Sequence, residues 1–344
     1  MFCDIFPAKM SLLDGLYSWI SRPVAAGKAR LYELGWRKTR LSPLPVVSVG
    51  NIALGGSGKT PLVIDLVAWA QRRGLKPAVV TRGYKGRWEK NGGVLSDGTS
   101  ISGSWLEAGD EPVLIARRSP GAGVFVGRHR FLSCRKAREA GFDLVILDDG
   151  FQHLKLARDL DIVLHRPGGK SALREGPRAL RRADIVLLEA GPERASAGAA
   201  TGRGRSPLVF PFRLRPESVV ELGTERILPP ESLKGKSVLA VCGIARPERF
   251  FGHLADLGLR LAARFVFPDH FDYPSRTLAR VASAAAEVRP EAVVTTEKDG
   301  VKIAEAASRL FPAPVYALRV GVELPPAFYE AVGAHLDRRA KGHA

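Results

Sequence analysis

Acidic residues are scarce in this chain relative to basic ones. Lys and Arg number 52 against 35 Asp and Glu, a formal charge of +17. That imbalance points to an anionic partner: a nucleotide, a nucleic acid, an anionic lipid or a phosphorylated substrate. Cysteine is also scarce. Cys3, Cys134 and Cys242 are scattered and show no C-x-x-C spacing, which argues against a disulfide framework or a zinc site and for a reducing compartment. No run of roughly 18 apolar residues occurs, so no spanning helix is expected. The first residues carry no basic stretch ahead of an apolar core, so no signal peptide is expected either. Interleaved aromatics of the kind that stack bases in a single-strand binder are missing from the basic clusters. Nucleic acid is therefore not an expected partner.

What is present is most concentrated between Pro45 and Pro61. An apolar strand (Val46, Val47, Val49) runs into Ala53, Leu54, Gly55, Gly56, Ser57, Gly58, Lys59 and Thr60, and an apolar-periodic segment follows from Leu62 to Ala70. Strand, glycine-rich loop and helix in that order form a phosphate cradle. The glycines let backbone N–H groups turn inward, and a helix N-terminus favours anions. In this pattern Lys59 reaches the β- and γ-phosphates and the Thr60 hydroxyl serves Mg²⁺. Ala53 stands where the strict motif has its first glycine.

Beyond the loop the chain alternates. Strands are expected at Val46–Val49, Ala78–Thr81, Gly123–Val126, Leu144–Leu147, Asp161–Leu164 and Ile185–Leu188, with helices at 60–73, 110–118 and 129–140. This predicts an α/β fold with a mostly parallel sheet covered on both faces. Residues 191–207 read as a flexible loop, and residues 208–232 as a connector with one or two strands. A second alternation has strands Val238–Val241, Leu261–Phe267, Ala292–Thr295 and Val315–Leu318 and helices near 247–257, 275–288, 300–310 and 325–338. It has no phosphate loop. The expected domains are therefore 1–40, 41–207, a connector 208–232, and 233–344. Within 1–40, Leu12, Leu13, Leu16, Tyr17, Trp19 and Ile20 at helical spacing precede Arg22, Lys28, Arg30, Arg37, Lys38 and Arg40. Such a segment suits either a helix at an anionic membrane surface or a helix packed on its own domain.

Several clusters carry chemistry. Asp148 and Asp149 end an apolar strand, the place where P-loop enzymes hold Mg²⁺ through an Asp. His153 follows them as a candidate contact to phosphate or substrate. Gly109-Asp-Glu-Pro112 opens a helix, where carboxylates ordinarily serve the dipole. His270 lies in Phe267-Pro-Asp-His-Phe-Asp-Tyr273, where a lone histidine ordinarily packs. The charges of Thr295-Thr-Glu-Lys-Asp-Gly300 read as a solvated loop. Basic groups recur in Thr81-Arg-Gly-Tyr-Lys-Gly-Arg87, in Gly127-Arg-His-Arg130 and from Arg174 to Arg182, and suit a phosphate-bearing substrate.

Taken in order, these motifs resemble the tetraacyldisaccharide 4'-kinase family, the lipid A kinases of Gram-negative bacteria. The resemblance covers about residues 11–320. It implies an ATP- and Mg²⁺-dependent enzyme at the cytoplasmic face of the inner membrane. The implied acceptor is an acylated glucosamine disaccharide 1-phosphate, phosphorylated on its 4'-hydroxyl. It further implies Asp110 as the base, tuned by His270 so that catalysis draws on both domains. Asp148 and Asp149 would serve Mg²⁺. Tyr84, Arg130, His153 and Arg174 fall at positions implied to meet the substrate. Two stretches depart from the family pattern. Arg174-Glu-Gly-Pro177 stands where Arg-Glu-Pro-Leu is usual, and Ala245 and Arg246 stand where Gly and Asn or His are usual. Two other readings compete with this one. One is another P-loop ATPase or GTPase of metallochaperone type, and the other is a basic, non-enzymatic membrane- or nucleic-acid-binding protein.

Overall fold

The computed structural model describes residues 12–167, 172–190 and 206–342. Among them the chain divides into two units, cut after Leu214 and again after Gly321. The expected loop at 191–207 falls almost wholly outside the described residues, as do the side chains of Leu12 to Ile20.

The first unit begins with α1 (Leu12–Glu33), β1 (Val46–Asn51), α2 (Lys59–Arg72), β2 (Pro77–Thr81), α3 (Trp88–Asn91) and β3 (Gly93–Asp97). It continues with α4 (Trp105–Ala108), α5 (Asp110–Arg118), β4 (Gly123–Val126), α6 (Arg130–Glu139), β5 (Leu144–Asp148), β6 (Leu160–His165) and β7 (Ile185–Glu189). The strands lie in the order β7-β6-β1-β5-β2-β4-β3. All neighbours are parallel except β3, which runs antiparallel to β4 at the edge. Every residue of β1, β2, β4 and β5 is buried. That is why these strands read as unbroken apolar runs rather than alternating ones: helices cover both faces of a parallel sheet. Strand β3 escaped the sequence reading because only Val94 and Leu95 of this short edge strand are apolar.

β8 (Leu208–Glu221) is a single 14-residue strand and carries the chain from the first unit to the second. Its start pairs with β7 in parallel, and its end pairs with β9 (Ile227–Leu228) in antiparallel. The second unit adds β10 (Ser237–Cys242), α7 (Pro247–Asp256), β11 (Arg260–Val266), α8 (Ser275–Val288), β12 (Ala292–Thr296), α9 (Glu297–Leu310) and β13 (Val315–Glu323). The order β11-β10-β12-β13 is parallel throughout. Leu239, Val241, Phe265, Val281 and Val293 form part of its core.

The final helix, α10 (Pro326–Gly342), differs from expectation. The sequence reading places it with the second domain, whereas from Val322 the chain belongs to the first unit. Packing explains the return. Phe328 and Val332 are fully buried, and Phe328 meets Phe210 edge-on at 5.9 Å. Tyr329 Oη donates to Asp65 Oδ2 on α2 at 2.8 Å.

Candidate active site

The glycine-rich loop joins β1 to α2. Gly55, Gly56 and Gly58 have φ of 67°, 50° and 89°, the left-handed region that glycine enters without a Cβ penalty. Gly58 ends the loop, and α2 starts at Lys59 with no side-chain cap and no acidic residue in its first turn. The first turn therefore supplies no carboxylate to its own leading N–H groups and positive dipole end. The loop is held from one side. Leu54 N–H donates to Ala172 O at 2.8 Å, and Arg174 N–H to Ile52 O at 2.8 Å.

The two strand-end carboxylates have different partners. β1 and β5 are adjacent and register Val49 with Asp148. This sets Asp148 beside the root of the loop. Its Oδ2 accepts the Thr81 hydroxyl at 2.9 Å, while its buried Oδ1 has no hydrogen-bond partner. Burial pushes the Asp148 carboxyl up to about 6, helped by the nearby Glu111 and Asp149. Asp149, in the left-handed region at φ 51°, turns the other way. It meets Lys59 Nζ at 3.3 Å and Arg174 Nη1 at 2.8 and 3.0 Å. Burial raises its pKa, but Lys59 and Arg174 outweigh burial and hold the carboxyl well below the usual range.

Around this pair the other candidates take separate places. Arg174 is bound to Asp149. The next residue, Glu175, is buried and links Gln152 Nε2 at 3.0 Å to Arg182 Nη2 at 2.6 Å. Arg130 is buried, with Nη1 donating to Gly127 O at 2.5 Å. Desolvation lowers its pKa to about 10, and Asp148 and Asp149 oppose that. His153 is pulled down to about 4 by desolvation first and then by Arg130 and Lys28, so it is neutral at pH 7. Tyr84 is 51% exposed on the loop after β2. That loop packs backbone to backbone on the turn before α5. A Cβ on Gly86 would lie 2.5 Å from Glu107 O and 2.6 Å from Gly109 N. Asp110, at the first position of α5, is buried, and its Oδ1 accepts the Glu111 N–H at 2.8 Å.

His270 belongs to the second unit. Its Nε2 lies 3.1 Å from Lys298 Nζ, and Lys298 also donates to Asp269 Oδ1 at 2.9 Å. The Thr295 to Gly300 segment, expected as solvated loop, is a strand end and a helix start. Thr295 and Asp299 are fully buried.

The tetraacyldisaccharide-1-phosphate 4'-kinase family model matches residues 11–337. A tetraacyldisaccharide 4'-kinase of Syntrophus aciditrophicus is 40% identical over 319 residues, covering 86% of this chain and 85% of that protein. One from Anaeromyxobacter sp. strain Fw109-5 is 40% identical over 334 residues, covering 92% and 87%. A crystal structure of LpxK from Aquifex aeolicus in complex with ATP matches with a TM-score of 0.73 at 28% identity. That match covers 94% of this chain and 99% of the other.

The chain belongs to this family. It is an ATP-dependent 4'-kinase, an enzyme that transfers a phosphate group. Family membership sets aside the metallochaperone-type and non-enzymatic readings. The departures from the family pattern fall at two places. A Cβ on Gly176 would meet nothing within 4 Å, and Pro177 opens a short 3₁₀ helix to Arg182, so Arg174 and Glu175 keep their partners. Arg246 is a buried residue at the N-cap of α7. Sequence reasoning about the kinase missed Glu111, which faces Asp148 closely enough to raise its pKa but was assigned to the helix dipole. It also missed the contacts of Lys298 and Asp299, because a charged strand end gives no sign of which charges turn inward.

Proposed function

We propose that the β1–α2 loop holds the phosphates of ATP together with Mg²⁺, and that Asp110 accepts the proton of the 4'-hydroxyl of an acylated glucosamine disaccharide 1-phosphate. The observation that carries this reading is the contrast at the end of β5. The buried Asp148 Oδ1 has no partner and lies beside an uncapped, acid-free helix N-terminus. An orphaned buried carboxylate oxygen fits a hard cation that prefers oxygen ligands. Mg²⁺ is held by one or two protein ligands plus phosphate oxygens and water. Asp148 and the Thr60 hydroxyl are the assigned ligands, with Glu111 close to Asp148. When bound, Mg²⁺ neutralises charge on the β- and γ-phosphates. Lys59 stabilises the charge that builds on the transferred phosphoryl oxygens. Asp149, fixed by Arg174, holds Lys59 in place. Tyr84, Arg130 and His153 are assigned to the sugar and its phosphate.

A sugar hydroxyl is a poor nucleophile and must lose its proton as the phosphoryl group arrives. Asp110 is assigned to that step, with His270 as a second catalytic group whose loss is coupled to it. Removing a general base costs about 10²–10⁴-fold in rate. Groups acting as a unit give losses that do not multiply. Asp110→Ala and His270→Ala should each lower kcat far more than they raise the KM for ATP, and the double variant should be little worse than the poorer single. A double-mutant cycle on kcat, with ATP and the acylated disaccharide, makes the test. Multiplicative losses, or a fully active His270→Ala, contradict the pairing.

We also assign the enzyme to the cytoplasmic face of the inner membrane as a peripheral protein. No described helix is long and apolar enough to cross a membrane. Just after α1, Trp36 and Leu41 are 77% and 80% exposed, and Arg37, Lys38 and Arg40 lie beside them. Exposed apolar side chains rimmed by cations suit an anionic lipid surface. Replacing Trp36 and Leu41 by Glu should release the protein from anionic vesicles in a flotation assay. Unchanged flotation of the folded variant contradicts this surface.

A further inference from the structure

The first two turns of α9 grip the loop that carries His270. Lys298 Nζ donates to Asp269 Oδ1 at 2.9 Å and lies 3.1 Å from His270 Nε2. Lys302 Nζ donates to the Phe271 carbonyl at 2.9 Å. Asp299 Oδ2 accepts the Gly243 N–H at 2.9 Å, and the Gly243 carbonyl accepts the His270 N–H at 3.2 Å. Lys298 thus holds the ring, and Asp299 and Lys302 hold the backbone. The backbone needs holding, because His270 and Tyr273 have φ of 59° and 52°, a region that residues with a Cβ rarely adopt. Such conformations persist where the surroundings over-determine them. Gly243 allows the close approach: a Cβ there would lie 2.9 Å from Tyr273 Oη and 3.1 Å from Asp299 Oδ1.

The contact between Lys298 and His270 has a chemical consequence. An ammonium group has three donors and no acceptor. A ring nitrogen facing it at hydrogen-bond distance must accept, so the hydrogen of a neutral imidazole sits on the other nitrogen. Asp269 Oδ2 lies 3.8 Å from the same Nε2, too far to hydrogen-bond, and Lys298 holds that carboxylate by its other oxygen.

We propose that Lys298 is a positioning residue for the kinase reaction: it holds His270 as the Nδ1–H tautomer, on a loop that Asp299 and Lys302 fix in place. This rests on the reading that His270 serves phosphoryl transfer. In this tautomer Nδ1 is a donor, the role in which an imidazole orients or stabilises a carboxylate. The opposite tautomer turns Nδ1 into an acceptor, which repels a carboxylate.

The test is two-bond ¹H–¹⁵N NMR of the histidine rings in the full-length protein, with His270→Gln used to assign the His270 signals. The parent should show a protonated Nδ1 and an unprotonated Nε2. In Lys298→Met the hydrogen should move to Nε2, because Asp269, no longer held by Lys298, can turn from 3.8 Å into hydrogen-bond reach and accept it. In the same variant kcat should fall on the order of 10–100-fold, as when a group that orients a catalytic imidazole is removed, with the KM for ATP changed less than about 2-fold. Lys298→Arg, which also only donates, should keep the Nδ1–H pattern and most of kcat. An Nε2–H pattern in the parent overturns the proposal without any variant. An unchanged pattern in folded Lys298→Met overturns it as well. If the pattern shifts while His270→Ala stays fully active, the contact stands and the catalytic reading of His270 fails.

Discussion

Helices α2 and α9 each follow an interior strand of a parallel sheet, and each opens near a threonine and a lysine. Their N-termini are nonetheless used differently. α2 starts after Gly58 with no side-chain cap and no acid in its first turn. α9 is closed from within. The Thr296 side chain accepts the Asp299 N–H at 3.2 Å and donates to Asp299 Oδ2 at 2.7 Å, while Glu297 pairs with Arg319 at 3.1 Å. In α9 the chain's own carboxylate takes the place that an anion would occupy. In α2 no acid of the first turn does so, and Asp149 at the end of β5 pairs with the Lys59 side chain instead. A helix N-terminus becomes a phosphate site when the fold leaves its own acids out of the first turn.

The largest effect that would break this contrast lies at α2. Lys59→Ala should lower kcat at saturating ATP by about 10²–10³-fold or more. Near-normal turnover would remove the phosphate assignment. A smaller effect concerns Asp148, whose carboxyl is pushed up to about 6 from an ordinary 3.8. Between those values the folded protein holds a proton that the unfolded chain has released. Stability therefore falls as pH rises through that window. In chelator, the parent should lose about 1–3 kcal/mol from pH 4 to 6 relative to Asp148→Asn, read by urea unfolding. Parallel pH dependences would show that Asp148 is not the strained carboxylate. The smallest effect is at α9. Thr296→Ala removes a cap that serves the fold and should cost about 1 kcal/mol of stability. A large loss of ATP affinity in that variant, with stability unchanged, would mean that the two helix ends do not differ as described.

Much of this arrangement was legible from residue order alone. The buried strands carry unbroken apolar runs because both faces are covered, so β1, β5 and β12 stood out directly. The loop from Ala53 to Thr60 was legible because its glycines have a backbone reason to be there. The different roles of Asp148 and Asp149 were not. Adjacent identical residues at a strand end are set apart by the left-handed turn at Asp149 and by its pairing with Lys59 and with Arg174, 25 positions later in the chain. The return of α10 to the first unit was hidden as well. Its apolar face fits any core, and only the contacts of Phe328 with Phe210 and of Tyr329 with Asp65 decide which one it joins.

One measurement bears most directly on the contrast between the two helix ends: a crystal structure of this enzyme with a non-hydrolysable ATP analogue and Mg²⁺. The β- and γ-phosphates should lie against the backbone of Gly55 to Thr60 with Lys59 on their oxygens, and the metal should bind the Thr60 hydroxyl and Asp148 Oδ1. Asp149 should remain with Lys59 and Arg174, and the start of α9 should hold no phosphate. Phosphates seated away from the β1–α2 loop, or a metal bound to Asp149 with Asp148 still bare, would contradict the account.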